Sequence, residues 1–102
     1  MGKTIIEPYV IEDDINTPEE IAAYIEAVFE EAEDDAAFIA KAIGDLAKAK
    51  GMTSIADKAG LSRESLYKAL SGKRCPRFDT ILKVLRALGV SLHVTESLKK
   101  AV

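Results

Sequence analysis

The first half of the chain carries apolar residues at helical spacing, separated mainly by acidic residues. Thr17, Pro18 and Glu20 form a start signal in which Thr17 and Glu20 can make a capping box and Pro18 suits the first helical position. The apolar face of this predicted helix, which ends near Glu33, consists of Ile21, Ile25, Val28, Phe29 and Ala32. The pattern therefore predicts an amphipathic helix with an acidic outer face.

A second helix is predicted directly after the acidic run at residues 33–35, which can end the first helix and cap the next. Lys48 and Lys50 suit the last turn, and Gly51 suits the position just after it. The side chains expected to be buried are Phe38, Ile39, Ala42, Ile43 and Leu46.

Two short helices are predicted next, with a tight turn between them. The third covers about Thr53–Ala59, is capped by Thr53 or its neighbour, and closes at Gly60. Ser62 caps the fourth, at about Arg63–Ser71, and Gly72 is its predicted terminator.

A fifth helix is predicted over about Phe78–Leu88 and stops at Gly89. Its apolar face is expected to consist of Phe78, Ile81, Leu82, Leu85 and Leu88. The alternation in Val90–Thr95 is typical of a half-buried strand. Thr4–Ile11 is rich in β-formers, but Pro8 restricts it to an extended segment or an edge strand.

Composition supports this picture and the expectation of one domain over residues 1–102. A chain of 102 residues with 48% hydrophobic and 30% charged residues can bury one core, and the absence of tryptophan suits closely packed helices. We predict an all-α fold with short terminal strands. Residues 1–34 would form an acidic extended segment and helix, 35–89 the core, and 90–102 a strand and tail.

The net charge of −3 conceals an uneven distribution. Residues 1–50 hold four basic and thirteen acidic groups, a net charge of −9. Residues 51–89 hold eight basic and three acidic groups, a net charge of +5. The basic charge thus lies in one stretch, as phosphate binding requires.

Candidate catalytic and metal-binding groups are few. The single cysteine, Cys75, excludes an internal disulfide, and one cysteine with one histidine, His93, argues against a zinc site. No combination of nucleophile and base is visible, so we expect no enzyme, no cofactor and no metal. No apolar run approaches the roughly 20 residues that cross a bilayer, and the start lacks a signal peptide, so a cytoplasmic protein is expected.

The segment at residues 53–70 carries the functional signal. Ala56 is small where two helices would approach, Gly60 can adopt the left-handed conformation, and Leu61 would fill the angle between the helices. Leu66 and Leu70 would anchor the fourth helix to the core. Any αα-hairpin could use such residues, but the basic groups just beyond the outward helix favour DNA binding over a scaffold role.

Residues 56–71 resemble the Cro/C1-type (Xre) helix-turn-helix, whose DNA-binding core would cover about residues 35–89. The resemblance implies a lambda-repressor-like fold for the five predicted helices. Residues 44–52 and 79–89 resemble more narrowly the addiction-module antidote proteins, which are HigA-like antitoxins. The resemblance implies a cytoplasmic antitoxin that neutralises a small RelE/HigB-type toxin and represses its own operon. A free-standing regulator without a toxin and an interaction-only adaptor remain as alternatives.

The resemblance also implies DNA contacts by nine residues. Arg63, Glu64 and Lys68 lie where the family reads base edges in the major groove, and Ser65 can join them. The groups expected to contact or position the phosphate backbone are Ser62, Ser71, Lys73, Arg74 and Arg77. Arg77 departs from the pattern because a capping Ser or Asp would be usual at that place.

Two protein partners are also predicted. A ribonuclease toxin is expected to be basic, so the acidic front half would attract it, although acidic helices can also serve solubility alone. A homodimer is expected because helix-turn-helix proteins usually read two half-sites of double-stranded operator DNA. The strand at Val90–Thr95 could pair with Thr4–Ile11 or with a second chain, and we favour dimerisation through this terminal region.

Overall fold

The computed structural model describes residues 15–96, which contain five α-helices and no strand. The helices are α1 (Pro18–Ala32), α2 (Ala36–Lys50), α3 (Met52–Ala59), α4 (Arg63–Ala69) and α5 (Phe78–Ala87). The five predicted helices and the all-helical fold class are therefore confirmed. None of these five helices is long and apolar enough to cross a membrane.

The predicted capping box of α1 is present. The Thr17 side chain accepts a hydrogen bond from the Glu20 N–H at 3.1 Å. The Glu20 carboxylate in turn accepts from the N–H groups of Asn16 and Thr17, at 2.7 and 3.0 Å. These backbone hydrogen bonds stabilise the ionised carboxylate and lower the pKa of Glu20.

The caps of the next two helices differ in kind. Asp35 caps α2 through its side chain, which accepts from the Phe38 N–H at 3.1 Å. The prediction that Thr53 or its neighbour caps α3 is wrong, because α3 begins at Met52 and Gly51 precedes it without a side-chain cap. Gly51 adopts a φ of 105°, which lets the chain turn sharply and buries Met52.

One cluster of buried side chains draws on all five helices. Its main packing contacts join α3 to α2, α4 and α5, and join α1 to α2. The largest fully buried side chains are Val28, Ile43, Leu46, Leu66, Val84 and Leu85. Helix α3 thus lies at the centre of the packing and supports α4 directly.

The predicted apolar face of α5 is wrong at its first residue. Ile81, Leu85 and Leu88 are buried as expected, and Val84 completes the face. Phe78 is 66% exposed, because the first turn of α5 extends beyond the buried cluster. Leu82 is only half-buried.

The strand predicted at Val90–Thr95 is wrong. The Val90 N–H still bonds to the Leu85 carbonyl at 3.0 Å, but residues 91–96 are exposed and lack regular secondary structure. A strand requires a neighbour to pair with, and residues 15–96 provide none. The other predicted strand, Thr4–Ile11, lies outside the described residues.

Helices α2 and α4 approach each other closely at Gly44. A Cβ atom at this position would lie 2.7 Å from the Leu70 carbonyl oxygen and 3.0 Å from the Leu70 Cβ. Both distances are shorter than ordinary van der Waals contact, so only glycine fits here without a shift of the backbone. Gly44 therefore sets how closely the end of α4 packs against α2.

Candidate nucleic-acid interface

The turn between α3 and α4 is set by Gly60. This residue adopts the left-handed conformation, with φ 74° and ψ 30°, as its predicted role requires. Its N–H and that of Leu61 bond back to α3, and the Leu61 N–H reaches the Ala56 carbonyl at 2.9 Å. Only three residues therefore separate α3 from α4, and most side chains of α4 are exposed.

The first turn of α4 is fixed by two serines. The Ser62 Oγ accepts a hydrogen bond from the Ser65 N–H at 3.0 Å, which confirms Ser62 as the cap. The Ser62 hydroxyl also donates to the Ser65 Oγ at 2.9 Å. Both side chains are exposed, so the pair places two hydroxyl groups side by side at the surface.

Four exposed side chains on the outer face of α4 form two pairs, and the two members of each pair lie one helical turn apart. The Arg63 guanidinium lies over the Tyr67 ring, 5.6 Å from its centroid. The Lys68 ammonium lies 3.9 Å from a Glu64 carboxylate oxygen, and both side chains are more than 70% exposed. An exposed pair of this kind adds little stability and does not hold either group firmly. The face therefore remains available to a ligand.

Helix α4 ends two residues earlier than predicted, at Ala69. The Ser71 hydroxyl donates to the Lys68 carbonyl at 3.1 Å and accepts from the Lys73 N–H at 3.2 Å, so it joins the helix end to the following loop. Gly72 has a φ of 82° but lies beyond the C-cap, Leu70, and therefore turns the loop rather than ending the helix. Ser71 is half-buried and its hydroxyl already has two partners.

The loop that follows α4 presents two free cations and one paired cation. Within residues 15–96, Lys73 and Arg74 are exposed and make no ion pair. Arg77 donates from Nε to one Asp79 carboxylate oxygen at 3.0 Å and from Nη2 to the other at 3.4 Å. This hydrogen bonding lowers the pKa of Asp79 and raises that of Arg77.

The nine residues predicted to contact DNA all lie on α4, its caps or the loop up to the start of α5. Over residues 62–79 there are five basic and two acidic groups. The structure brings together Ser62 with Ser65 and Glu64 with Lys68, and it reveals the pairing of Arg77 with Asp79, which sequence reasoning missed. Sequence reasoning also missed the contact of Tyr67 with Arg63, although a spacing of four residues places two helical side chains one turn apart.

The described residues offer no obvious metal centre. Among residues 15–96, no group of three or more His, Cys, Asp or Glu side chains is arranged to hold a metal ion. Cys75 is exposed in the loop between Arg74 and Pro76. The functional groups that α4 and the following loop expose are thus mainly cationic side chains and hydroxyl groups.

Comparison with known proteins gives two matches. A model of the family described as "Probable addiction module antidote protein" matches residues 5–96. A protein of Haemophilus influenzae (strain Rd), described as "Uncharacterized protein", is 39% identical over 92 residues, which cover 90% of this chain and 93% of the relative. No solved structure gives a significant match.

Proposed function

Because the chain belongs to the family of probable addiction module antidote proteins, we propose that it is an antitoxin that also represses its own operon. Its DNA-binding element would be a lambda-repressor-like helix-turn-helix formed by α3 and α4. The observation that supports this is the exposed face of α4, presented outward by the Gly60 turn and followed by a basic loop.

In the proposed complex, α4 enters the major groove of operator DNA and its outer side chains contact base edges. Arg63 can donate two hydrogen bonds to a guanine, and Lys68 can contact the same kind of acceptor. Glu64 can accept from a cytosine amino group once its loose contact with Lys68 opens. The Tyr67 ring beneath the guanidinium restricts Arg63 and so reduces the entropy lost on binding.

Phosphate contacts are assigned mainly to the loop and to the hydroxyl groups. Lys73 and Arg74 are exposed and unpaired within the described residues, so they can bind phosphates without losing an internal contact. Ser65 can donate its hydroxyl group at the start of α4, whereas Ser62 can do so only by giving up its hydrogen bond to the Ser65 Oγ. Ser71 and Arg77 would contribute less than their sequence positions suggest, because both already have partners.

Replacing Arg63 with alanine should weaken binding to the operator by about 1–3 kcal/mol if the side chain reads a guanine with two hydrogen bonds. Fluorescence anisotropy with labelled operator and scrambled duplexes at one salt concentration measures this. Arg86→Ala is a matched control, because Arg86 is exposed on α5 and the change removes the same charge. An equal loss on both duplexes would show that Arg63 contacts only phosphate.

Replacing Asp79 with asparagine should strengthen DNA binding and make it more salt-dependent. The change leaves Arg77 without its carboxylate partner, and one added phosphate contact steepens the log–log salt slope by about 0.9. Anisotropy titrations between low and physiological salt measure the slope. Asp57→Asn, at an exposed position on α3, gives the same change in net charge. A slope that rises equally in both variants would contradict a specific role for Arg77.

The proposed protein partners are a small basic toxin of the RelE/HigB type and a second copy of this chain. The toxin is supported by the family and by α1, which carries five glutamates and no basic residue. A homodimer is supported by the short length of α4, since a single seven-residue reading helix offers little specificity. The role is one of binding in the cytoplasm, not of catalysis.

Size-exclusion chromatography of this protein mixed with the toxin encoded beside its gene tests the antitoxin function. A stable complex that abolishes toxin activity is expected. A protein that binds operator DNA but forms no such complex would be a free-standing regulator. A protein that binds the toxin but no DNA would be an interaction adaptor on a helical scaffold.

A further inference from the structure

A groove of about 530 Å³ lies between α1 and the C-terminal segment, residues 90–95. Helix α1 packs mainly on α2, whereas α4 packs mainly on α3, so the groove belongs to a different part of the fold from the DNA-binding face. The apolar residues that line the groove are Ile25, Phe29, Leu85, Val90 and Leu92. Leu92 is 44% exposed and Phe29 is only partly buried, so the lining is accessible.

The C-terminal wall of the groove also exposes its backbone. Beyond the bond from the Val90 N–H, residues 91–96 make no backbone hydrogen bond to other described residues. Within residues 15–96, their N–H and C=O groups therefore have no backbone partner, as on the edge of a sheet. The wall thus offers apolar side chains and backbone hydrogen-bonding groups together.

The groove is acidic at its border with α1. Glu26 and Glu30 lie one turn apart and line the groove beside Ile25 and Phe29. A second copy of this chain docked face to face would bring two copies of the acidic helix α1 into one interface, and like charges across an interface cost binding free energy. The charge pattern therefore favours a basic occupant over a second copy.

We propose that this groove is the docking site for a basic, amphipathic segment of the toxin. The inference rests on the proposed antitoxin function and assigns its contact surface. Apolar side chains of the segment would fill the groove against Phe29 and Leu92, and Lys or Arg side chains would pair with Glu26 and Glu30. The segment can also form main-chain hydrogen bonds with residues 91–96, as an extended peptide does when it adds a strand to a sheet edge.

Charge reversal tests the proposal with the purified toxin encoded beside this gene as the probe. The double variant Glu26→Lys, Glu30→Lys should raise the toxin Kd about tenfold or more, because it places like charges at the contact. The matched control Glu31→Lys, Asp34→Lys changes the net charge equally at exposed positions outside the groove and should raise the Kd less than about threefold. Isothermal titration calorimetry on the full chain gives both values.

A second pair of variants tests the apolar contact. Leu92→Asp should raise the toxin Kd about tenfold or more, whereas Val94→Asp, in the same segment but outside the groove lining, should change it little. Both positions are exposed and lie outside the helices, so thermal unfolding curves should match the wild type.

Three results would overturn the proposal, and each is distinct. If the groove variants and the control variants raised the toxin Kd equally, the glutamates would act only by long-range electrostatic attraction of the toxin. Groove variants that bind toxin normally but lose the homodimer in light scattering would identify the groove as a self-contact. A wild-type chain that binds no toxin would refute the antitoxin function itself, before any variant is compared.

Discussion

Replacing Leu66 with alanine should lower the free energy of unfolding by about 2–5 kcal/mol. Leu66 is fully buried and is the only residue within α4 that is buried. Its loss removes apolar burial and leaves a cavity between α4 and α3. Because the other anchor, Leu70, lies at the C-cap, α4 should also lose its fixed orientation and, with it, the proposed affinity for operator DNA.

Urea unfolding followed by circular dichroism gives this difference, and anisotropy gives the loss of DNA binding. Val94→Ala is a suitable control, because Val94 is 94% exposed and its truncation should change stability by less than about 0.5 kcal/mol. If Leu66→Ala unfolded with wild-type stability, α4 would not be held by the core as described.

Replacing Gly44 with valine should lower the free energy of unfolding by about 3 kcal/mol or more, and alanine by about 1–3 kcal/mol. Helix propensity alone predicts the opposite, since alanine is favoured over glycine inside a helix by about 1 kcal/mol. Sterics should dominate because the new Cβ would lie 2.7 Å from the Leu70 carbonyl, a backbone atom that cannot rotate away. The end of α4 would have to move.

Ala49→Val provides the comparison, because Ala49 is exposed on the same helix and the change tests β-branching without a clash. It should cost less than about 1 kcal/mol in the same urea titration. A Gly44→Ala protein that is more stable than the wild type would show that α4 can shift freely. In that case the close approach would not determine its position.

Local signals accounted for the features that sequence reasoning predicted correctly. Thr17 and Ser62 cap their helices through atoms only three residues away, and the turn at Gly60 depends on its own φ. The outward position of Arg63 and Lys68 follows from the spacing of the buried Leu66. Such features depend on near neighbours in the chain and can be predicted before the packing is known.

Features that depend on distant neighbours were not predictable in this way. The alternation of Val90–Thr95 is compatible with a strand, but a strand forms only where another one lies beside it. Phe78 fits the apolar period of α5, yet it is exposed because nothing in the described structure covers that turn. Arg77 pairs with Asp79 rather than remaining a free cation. A count of charges along the sequence does not show which oppositely charged groups will pair.

The order in which the helices pack also bears on how fast the protein folds. Three of its four main helix pairs, α1 with α2, α2 with α3 and α3 with α4, are neighbours in the chain, whereas the fourth, α5 on α3, skips a helix. Helical proteins dominated by such local contacts have low contact order and fold in microseconds to milliseconds. Folding of the helical core would therefore take far less time than the several seconds that synthesis of the chain itself requires.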